Sequence, residues 1–249
     1  MSNTYDVTGR NAVVTGASKG IGRATAELLA TNGARVIVHG RDARVCDEIA
    51  ETLPGARGIA ADLSSDAERV TFCKAIADHF QGRVDILVHN AGFYPQGTVE
   101  SQSLEEWRYV QQVNLESNFH MTQLLLPCLR ESGNGAVVLV SSVVTKLGRG
   151  DSPAYTTSKA GQIGLARQMA AELGADGIRV NVVLPGLVDT EGTRRVNTDE
   201  RYLEFADQLQ MIPHAIQSPD LAETIVFLCT PAARAITGAS IDVNGGLRV

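Results

Sequence analysis

Short apolar runs recur along the chain, each after a glycine or a polar turn, with longer amphipathic stretches between them. The runs are nearly continuous hydrophobes, which is typical of strands buried on both faces of a parallel sheet. They lie at residues 11–15, 34–38, 58–61, 84–88, 136–140, 178–183 and 239–243. The stretches between them carry apolar residues at three- and four-residue spacing. This spacing predicts helices over residues 20–30, 42–52, 66–80, 104–130, 154–173 and 219–228.

Strands and helices alternate along the whole chain, which predicts a doubly wound parallel sheet of the Rossmann-like α/β class. No linker or shift of composition divides it, so we expect a single three-layer α/β/α domain over residues 1–249. Ser64 and Ser103 stand where helix N-caps are expected. The expected C-cap residues are Gly33, Gly82 and Gly177. Residues 187–218 form a connection too long for this rhythm and predict a small helical lid.

The composition is that of a globular, mildly acidic protein. The chain has 249 residues, 44% of them hydrophobic, and a formal net charge of −6. This balance disfavours nucleic acid as a partner, because phosphate contacts need clustered cations. No apolar stretch approaches the length of about 18 residues that a membrane span needs. Residues 1–10 have no apolar signal core, so we expect a cytoplasmic protein. The cysteines (Cys46, Cys73, Cys128, Cys229) are scattered, which predicts buried thiols and no metal site.

Glycines are unusually frequent, and three of them lie in the turn between the first strand and the first helix. The sequence of the turn is Thr15-Gly16-Ala17-Ser18-Lys19-Gly20-Ile21-Gly22. Glycines there let backbone N–H groups approach a pyrophosphate, and the helix N-terminus adds a favourable dipole. The alternative is a tight turn without a ligand. The position after the first strand of a parallel sheet favours the dinucleotide site.

The end of the second predicted strand indicates which dinucleotide this turn binds. NAD-binding domains place an acidic residue there, which bonds the ribose hydroxyls. Here Gly40 holds that position, Arg41 follows it, and Lys19 lies in the glycine turn. Two cations without an acid suit a 2′-phosphate, which favours NADP(H). NAD(H) stays an alternative, because both cations could be solvated and Asp42 could reach the ribose.

A phenol and an amine lie four residues apart in the predicted helix 154–173. Tyr155 and Lys159 therefore share one helix face. An ammonium near a phenol lowers the phenol's pKa from about 10, so we expect Tyr155 to act as an acid/base near neutral pH. Ser142 follows the strand 136–140, at the edge where parallel sheets bind ligands, and can bond a substrate oxygen. Ser141 is the weaker candidate for that role. Taken alone, the Tyr-x-x-x-Lys pattern is more typical of a surface tyrosine and a solvated lysine.

These motifs, at these spacings, resemble those of the short-chain dehydrogenase/reductase superfamily over nearly the whole chain. The resemblance implies hydride transfer between a nicotinamide dinucleotide and a secondary alcohol, ketone or aldehyde. It implies a catalytic set of Asn114, Ser142, Tyr155 and Lys159. Ser142 would polarise the carbonyl, Tyr155 would protonate the alkoxide, and Lys159 would lower the pKa of Tyr155 and hold the ribose. Asn114 would mark a helix irregularity and support a water-linked proton path to Lys159.

The resemblance also implies a cofactor site along four strand ends. Asp62 would contact the adenine, and the backbone and threonine after Pro185-Gly186 would hold the nicotinamide carboxamide. The implied set is Gly16, Ser18, Lys19, Gly20, Ile21, Gly22, Arg41, Asp62, Leu63, Asn90, Ala91, Gly92, Tyr155, Lys159, Pro185, Gly186, Val188 and Thr190. His89 departs from the family's Asn-Asn-Ala-Gly motif. We expect it to be a packed, hydrogen-bonded strand residue rather than a catalyst.

The substrate is less well indicated. Candidate contacts are Ser142, Val144, Tyr94, Tyr155 and Leu187, within loops that include residues 143–150. The apolar loops favour a neutral or aromatic alcohol or ketone. Three arginines of the predicted lid could instead meet an acid or a carrier phosphate: Arg194, Arg195 and Arg201.

Two alternatives to a general alcohol/carbonyl dehydrogenase stay open. One is a 3-oxoacyl-acyl-carrier-protein reductase, although residues 210–214 depart from the Pro-Leu-x-Arg common in that group. The other is a cofactor-binding relative without turnover, which the complete catalytic set disfavours. The resemblance and a small-residue helix face imply a homotetramer or dimer. That face comprises Ala160, Gly161, Gly164 and Ala166.

Overall fold

Parallel strands form the central sheet. The computed structural model describes residues 5–147, 152–191, 194, 200, 204 and 208–248. The main strands are β1 (Asn11–Val14), β2 (Arg35–Gly40), β3 (Arg57–Ala60), β4 (Ile86–His89), β5 (Ala136–Val140), β6 (Arg179–Pro185) and β9 (Ser240–Val243). Within the described residues they pair in the order β3-β2-β1-β4-β5-β6-β9, and every pairing is parallel. The inner strands are buried along their whole length, as the continuous apolar runs predicted.

Helices cover both faces of the sheet. They are α1 (Gly20–Thr31), α2 (Ala43–Glu51), α3 (Asp66–His79), α4 (Leu104–Gln111), α5 (Ser117–Glu131), α6 (Pro153–Leu173) and α7 (Ser218–Cys229). Helices α1, α2 and α7 pack against one face, and α3, α5 and α6 pack against the other. Successive strand residues serve opposite cores: Val14 faces the first and Val13 the second. The predicted three-layer, doubly wound fold is confirmed. In the described part of the chain, every helix is too short or too polar to cross a membrane.

Local hydrogen bonds set where several helices begin. Asp42, Ser65 and Ser103 each accept a bond from the backbone N–H three residues on, and they cap α2, α3 and α4. The prediction that Ser64 caps α3 is wrong, because its hydroxyl donates to the Asp62 carboxylate instead. The predicted C-cap glycines have left-handed φ angles: Gly33 +90°, Gly82 +82° and Gly177 +73°.

The helix predicted over residues 104–130 is interrupted. A π-helical turn, Gln112–Glu116, separates α4 from α5. Asn114 lies at its centre, and asparagine stabilises a regular helix poorly because its side chain competes for backbone hydrogen bonds. The prediction of one continuous helix is therefore wrong. The irregularity that the resemblance implied at Asn114 is present.

The long connection after β6 has its two ends tied together. Strand β7 (Val188–Asp189) pairs in parallel with β8 (Ile216–Gln217), directly before α7. Arg194 forms an ion pair with Asp189, with Nε and Oδ1 2.5 Å apart. The middle of the predicted lid lies largely outside the described residues, Arg195 and Arg201 included, as do residues 148–151. The lid therefore stays a prediction.

The strand order reverses between β1 and β4. Such a switch point opens a crevice outside the carboxyl ends of the strands, which is where open α/β sheets bind ligands. The segments that follow β1, β4, β5 and β6 all leave the sheet at this edge. The residues predicted to bind cofactor and substrate are thereby brought to one side of the molecule.

Candidate active site

The glycine turn after β1 packs closely on the end of β4. Gly16 has φ +64°, and a Cβ there would lie 2.8 Å from the Ala91 Cα. A Cβ on Gly22 would lie 2.3 Å from both the Asn90 Nδ2 and the Gly16 carbonyl oxygen. Asn90 donates from Nδ2 to the carbonyls of Thr15 (3.0 Å) and Gly16 (3.1 Å). Glycine is therefore required at both positions by backbone packing, before any ligand is considered.

The start of α1 fits an anion. Lys19 stands at the N-cap without a side-chain cap, and the first turn contains no acidic residue. The uncapped N–H groups and the helix dipole then present positive charge at the crevice. A Cβ on Gly20 would lie 3.3 Å from Thr190 Cγ2, so the segment after β6 borders this turn. The residues present thus fit the pyrophosphate of a dinucleotide.

His39, at the end of β2, holds the glycine turn in place. Its Nδ1 accepts from the Gly16 N–H (3.1 Å), and its carbonyl accepts from the Ala17 N–H (2.7 Å). Its Nε2 lies 3.1 Å from the Ala61 carbonyl, which can only accept, so the proton resides on Nε2. Burial lowers the pKa of His39 to about 4, which keeps the ring neutral. Sequence reasoning assigned no role to this residue.

The tip of β2 is tightly packed around Gly40, so a side chain there would require its neighbours to shift by a few tenths of an ångström. A Cβ on Gly40 would lie 3.0 Å from Cys46 Sγ and 3.3 Å from Ser18 Cβ. Asp42 accepts from the Val45 N–H as the cap of α2, so its carboxylate already has a local partner. Arg41 and Lys19 are both exposed at this tip. The arrangement leaves two cations at the position that a ribose 2′ substituent would approach.

Asp62 follows β3 and lies close to Arg41. Its Oδ1 accepts from the Ser64 N–H (2.9 Å) and hydroxyl (2.8 Å). Burial raises the pKa of the carboxyl, but the bonds from Ser64 and the charge of Arg41 outweigh it, so the pKa lies below its ordinary value. Asp62 is therefore ionised at neutral pH and close to Arg41.

Tyr155, Ser142 and Lys159 meet where β5 ends and α6 begins. Burial raises the pKa of Tyr155 to about 12, against the lowering effect of a hydrogen bond with the Ser142 hydroxyl. The Ser141 hydroxyl instead donates to the Lys159 carbonyl (2.8 Å), which anchors α6 to β5. The structure thus places Ser142, and not Ser141, against the phenol.

The expected lowering of the Tyr155 pKa is wrong for this arrangement. The ammonium of Lys159 donates to the Val140 carbonyl (2.6 Å) and lies 5.5 Å from the centre of the Tyr155 ring. Lys159 itself is only 3% exposed, and burial lowers its pKa to about 7. Desolvation therefore outweighs the attraction between the two groups. At neutral pH the phenol keeps its proton.

Asn114 connects the π-helical turn to the loop after β4. Its Oδ1 accepts from the Phe93 N–H (2.8 Å), and its Nδ2 donates to the Phe93 carbonyl (3.0 Å). The same Nδ2 also donates to the Ser158 hydroxyl (3.0 Å), which in turn donates to the Tyr155 carbonyl (2.7 Å). Asn114 thereby fixes a loop and a helix that both line the crevice.

The loop after β4 brings aromatic rings to the site. The Tyr94 ring lies edge-on to the Tyr155 ring, with centroids 4.7 Å apart. Phe93 stands edge-on to Tyr109 of α4 at 5.2 Å. Val144 follows Ser142 in a short 3-10 helix, and its N–H donates to the Ser142 hydroxyl (3.3 Å). Tyr94 therefore lies against Tyr155 and Val144 against Ser142, while their role as substrate contacts stays a prediction.

Several other residues predicted to bind the cofactor have side chains that pack into the protein. Leu63 is 4% exposed and packs in the core beneath α3, α5 and α6. Val188 is 3% exposed and packs in the core beneath α1, α2 and α7, where Ile21 is partly buried as well. Gly186 follows Pro185, and a Cβ there would lie 3.0 Å from the Asn244 Cα. Leu187 is partly buried between β6 and β7. These positions shape the crevice without presenting a polar side chain to it.

His89 is a buried strand residue, as expected. Its Nε2 lies 2.9 Å from the Thr122 hydroxyl, and burial lowers the pKa of the ring to about 3. Three further polar residues contact the site and escaped sequence reasoning: Ser158, Asn118 and Gln162. Gln162 follows Tyr155 and Lys159 at the seven-residue position of the same helix face, a spacing that could have indicated it.

Comparisons with known proteins agree on the family. A family model described as Enoyl-(Acyl carrier protein) reductase matches residues 16–248. The chain is 35% identical to the 3-oxoacyl-acyl-carrier-protein reductase FabG of Vibrio cholerae, covering 96% of this chain and 97% of that protein. It is 34% identical to a tropinone reductase homolog of Arabidopsis thaliana, covering 98% and 93%.

Solved structures give the same result. A structure titled Pseudomonas aeruginosa RhlG/NADP active-site complex superposes with a TM-score of 0.91 at 33% identity, covering 99% of both chains. A protein titled short chain dehydrogenase/reductase family protein superposes with a TM-score of 0.87 at 31% identity, covering 97% and 98%. The family model, the relatives and the solved structures all match the part of the chain that contains the glycine turn, Tyr155 and Lys159. The chain belongs to the short-chain dehydrogenase/reductase superfamily, whose members are NAD(P)-binding oxidoreductases.

Proposed function

We propose that this protein reduces a ketone or aldehyde to an alcohol with NADPH, using Tyr155 as the general acid. The observation that carries the proposal is the junction of Tyr155, Ser142 and Lys159 at the crevice. Burial holds the pKa of Tyr155 at about 12, so the phenol is protonated at neutral pH. That protonation state suits reduction, in which the phenol must donate.

The proton and the hydride have separate sources. A nicotinamide dinucleotide, when bound in the crevice, would supply the hydride to the carbonyl carbon. The Ser142 hydroxyl polarises the carbonyl oxygen, and Tyr155 transfers its proton to the oxygen as the C–H bond forms. Lys159, whose pKa burial lowers to about 7, then returns a proton to the phenolate. The uncapped start of α1, the glycine turn and Thr190 would hold the dinucleotide.

Three observations support NADP(H) over NAD(H). The tip of β2 holds the tightly packed Gly40 in place of an acidic residue. Asp42 is engaged as a helix cap, while Arg41 and Lys19 are exposed beside it. The solved relative with a TM-score of 0.91 is titled as an NADP complex.

A 3-oxoacyl thioester on a carrier protein is the second candidate substrate. Several relatives named as 3-oxoacyl-acyl-carrier-protein reductases are 33–35% identical over 96% of this chain. A neutral or aromatic ketone stays the first candidate, because the Tyr94 ring lies against the Tyr155 ring and Arg194 is paired with Asp189.

We further propose a cytoplasmic homotetramer. Ala160 and Gly164 are exposed on α6, and the apolar Leu104 and Phe119 are 62% and 50% exposed on α4 and α5. Ala166 and Gly161 pack within their own chain, so only half of the predicted small-residue face is available for a partner. A monomeric mass in solution would contradict this assembly.

The experiment is a turnover screen with NADPH and NADH against aliphatic ketones, aromatic ketones and a 3-oxoacyl thioester. We expect turnover with NADPH and a loss of about 10²–10⁴-fold in Tyr155→Phe. Dinucleotide binding, followed by nicotinamide fluorescence, should be kept in that variant. Tyr109→Phe, a tyrosine outside the crevice, is the matched control. Full activity of Tyr155→Phe would refute the assignment, and binding without turnover across the panel would favour a relative without activity.

A further inference from the structure

The carbonyl of Asn114 is bound by two buried side-chain amides. Asn118 donates to it from Nδ2 (3.0 Å) and Gln162 from Nε2 (2.7 Å). Asn118 is 2% exposed, and Asn114 and Gln162 are 0% exposed. A carbonyl oxygen has two lone pairs, so these two donors occupy both. This residue of the π-helical turn is thus clamped through its backbone from α5 and from α6.

The side chain of Asn114 connects its clamped backbone to the two segments that line the crevice. Its amide binds both backbone groups of Phe93, the residue before Tyr94, and it donates to Ser158, the residue before Lys159. A shift of the Asn114 backbone would therefore move the loop that carries Tyr94. It would also disturb the turn of α6 that carries Tyr155.

Gln162 is less favourable for the stability of the fold than an apolar residue would be at this position. Its Oε1 is buried and has no hydrogen-bond partner among the described protein atoms. Burying an amide group without a partner destabilises a fold, whereas an apolar side chain of similar length would pack there without that cost. Gln162 therefore lowers the stability of the fold, and what it provides in return is one N–H donor to the Asn114 carbonyl.

We propose that Gln162, together with Asn118, is a positioning residue that holds Asn114 in the arrangement required for hydride transfer. The inference rests on the proposed function of Tyr155 and Lys159. It also restricts the proton path implied for Asn114. With its carbonyl occupied, Asn114 can accept a further hydrogen bond only at Oδ1, which together with the Lys159 Nζ borders the space beside Gly92.

The first test is Gln162→Met, which keeps the length of the side chain and removes the donor. We expect the protection factor of the Phe93 amide against hydrogen exchange to fall at least about tenfold, because the Asn114 Oδ1 that holds it is released. With the best ketone of the turnover screen, kcat should fall by a similar factor while KM for NADPH stays within about twofold. The control is Gln168→Met, an exposed glutamine of the same helix bonded to Glu172.

The second test is Gln162→Glu, which restores a donor only when its carboxyl is protonated. Protection of the Phe93 amide, corrected for intrinsic exchange, and kcat should both approach wild type at low pH and fall as the carboxyl ionises. Gln168→Glu should show no such profile. The low-pH and high-pH values are compared within the same Gln162→Glu protein. The test therefore decides the question even if Gln162→Met does not fold.

Unchanged protection and unchanged kcat in Gln162→Met would overturn the proposal, as would a Gln162→Glu profile that is flat with pH. Hydrogen exchange is measured on the protein alone. A failure of the proposed function, seen as no turnover by the wild type, is therefore distinguishable from a failure of this inference.

Discussion

Gly92 lies where Lys159 and Asn114 face the same small space. A Cβ on Gly92 would lie 3.6 Å from the Lys159 Nζ and 3.7 Å from the Asn114 Oδ1, which is ordinary van der Waals contact. Its φ lies outside the left-handed region. An alanine is therefore compatible with the backbone and the neighbours, and it would fill the space between two proposed catalytic groups.

We predict that Gly92→Ala keeps or slightly raises the melting temperature and lowers kcat/KM about tenfold or more. The gain in stability follows from the reduced freedom of the unfolded chain, about 0.4–1 kcal/mol. The loss of activity follows from the methyl group beside Nζ and Oδ1. Gly97→Ala, in the same loop with a nearest contact of 3.5 Å, is the control: it should keep or slightly raise the melting temperature in the same way and leave kcat/KM unchanged. Activity equal to wild type in Gly92→Ala would show that nothing in the reaction uses that space.

At the scale of elements, one histidine joins three strand ends. His39 of β2 binds the Gly16 N–H after β1 and the Ala61 carbonyl after β3, and its ring packs on Phe72 of α3 with centroids 4.7 Å apart. Each of these bonds is local in space and remote in sequence. The shape of the glycine turn therefore depends on an adjacent strand as well as on its own glycines.

We predict that His39→Phe raises the Kd for NADPH about tenfold, equivalent to about 1.4 kcal/mol. The aromatic packing on Phe72 is kept, while the acceptor for Gly16 and the donor to Ala61 are lost. Fluorescence titration measures the Kd, and His79→Phe, a partly exposed histidine of α3, is the control. An unchanged Kd would mean that the glycine turn keeps its shape without His39.

The same residue has a signature in the pH dependence of stability. Burial lowers the pKa of folded His39 from 6.5 to about 4. Between these values the unfolded chain takes up a proton that the folded chain refuses, so the wild type should lose stability as the pH falls from 6.5 towards 4. His39→Phe should lose less over this interval.

At the scale of the whole molecule, the two ends of the sheet have different tasks. The carboxyl ends of the strands form the crevice, while the opposite end is held together by a polar network around Asp85. This carboxylate is 1% exposed and accepts from the Asn11 N–H (2.9 Å), the Arg83 guanidinium (2.9 Å) and the Ser132 hydroxyl (2.7 Å). Arg10 donates to the Asp85 carbonyl (3.0 Å) and links the network to α7 through the Cys229 carbonyl. The network joins β1, β4, α5 and α7 far from the crevice.

We predict that Asp85→Asn destabilises the protein by about 2 kcal/mol at pH 7, because an amide group cannot accept all three hydrogen bonds. The loss of the ion pair with Arg83 adds little to this value, because the Arg83 side chain is partly exposed to solvent. Burial raises the pKa of Asp85, but its hydrogen bonds outweigh it and the net pKa is lowered. Its contribution is therefore complete above the unfolded-state pKa of about 3.9 and is lost as the pH falls below that value.

Urea denaturation at pH 7, 5 and 3.5 measures this difference, with the exposed Asp78→Asn as control. The gap between wild type and Asp85→Asn should stay constant from pH 7 to 5 and narrow at pH 3.5. A gap that does not narrow would contradict the charge-based account. Turnover per folded molecule should be unaffected at pH 7, because the network lies at the opposite end of the sheet.

Much of this protein is determined locally by its sequence. Continuous apolar runs require a sheet that is covered on both faces, and amphipathic stretches between them require helices that cover it. The glycine turn and the four-residue spacing of Tyr155 and Lys159 depend only on backbone geometry over a few residues. For this reason the doubly wound parallel sheet, the glycine turn and the shared helix face of Tyr155 and Lys159 could be predicted without coordinates, whereas the strand order became visible only in the folded chain.

The tertiary structure alone decided how the groups are charged and held. Lys159 donates to the Val140 carbonyl and does not lower the pKa of the Tyr155 phenol, because both groups are buried. The four-residue spacing of the two residues does not show how buried they are. Arg69 is 1% exposed because it donates to the Leu63 carbonyl (2.6 Å) and to Glu116 (2.6 Å), partners that the fold supplies from other elements. Gln162 meets the Asn114 carbonyl for the same reason. Hydrogen bonds between remote segments and the desolvation of charge arise only when the chain is packed, so they are properties of the fold rather than of any local pattern.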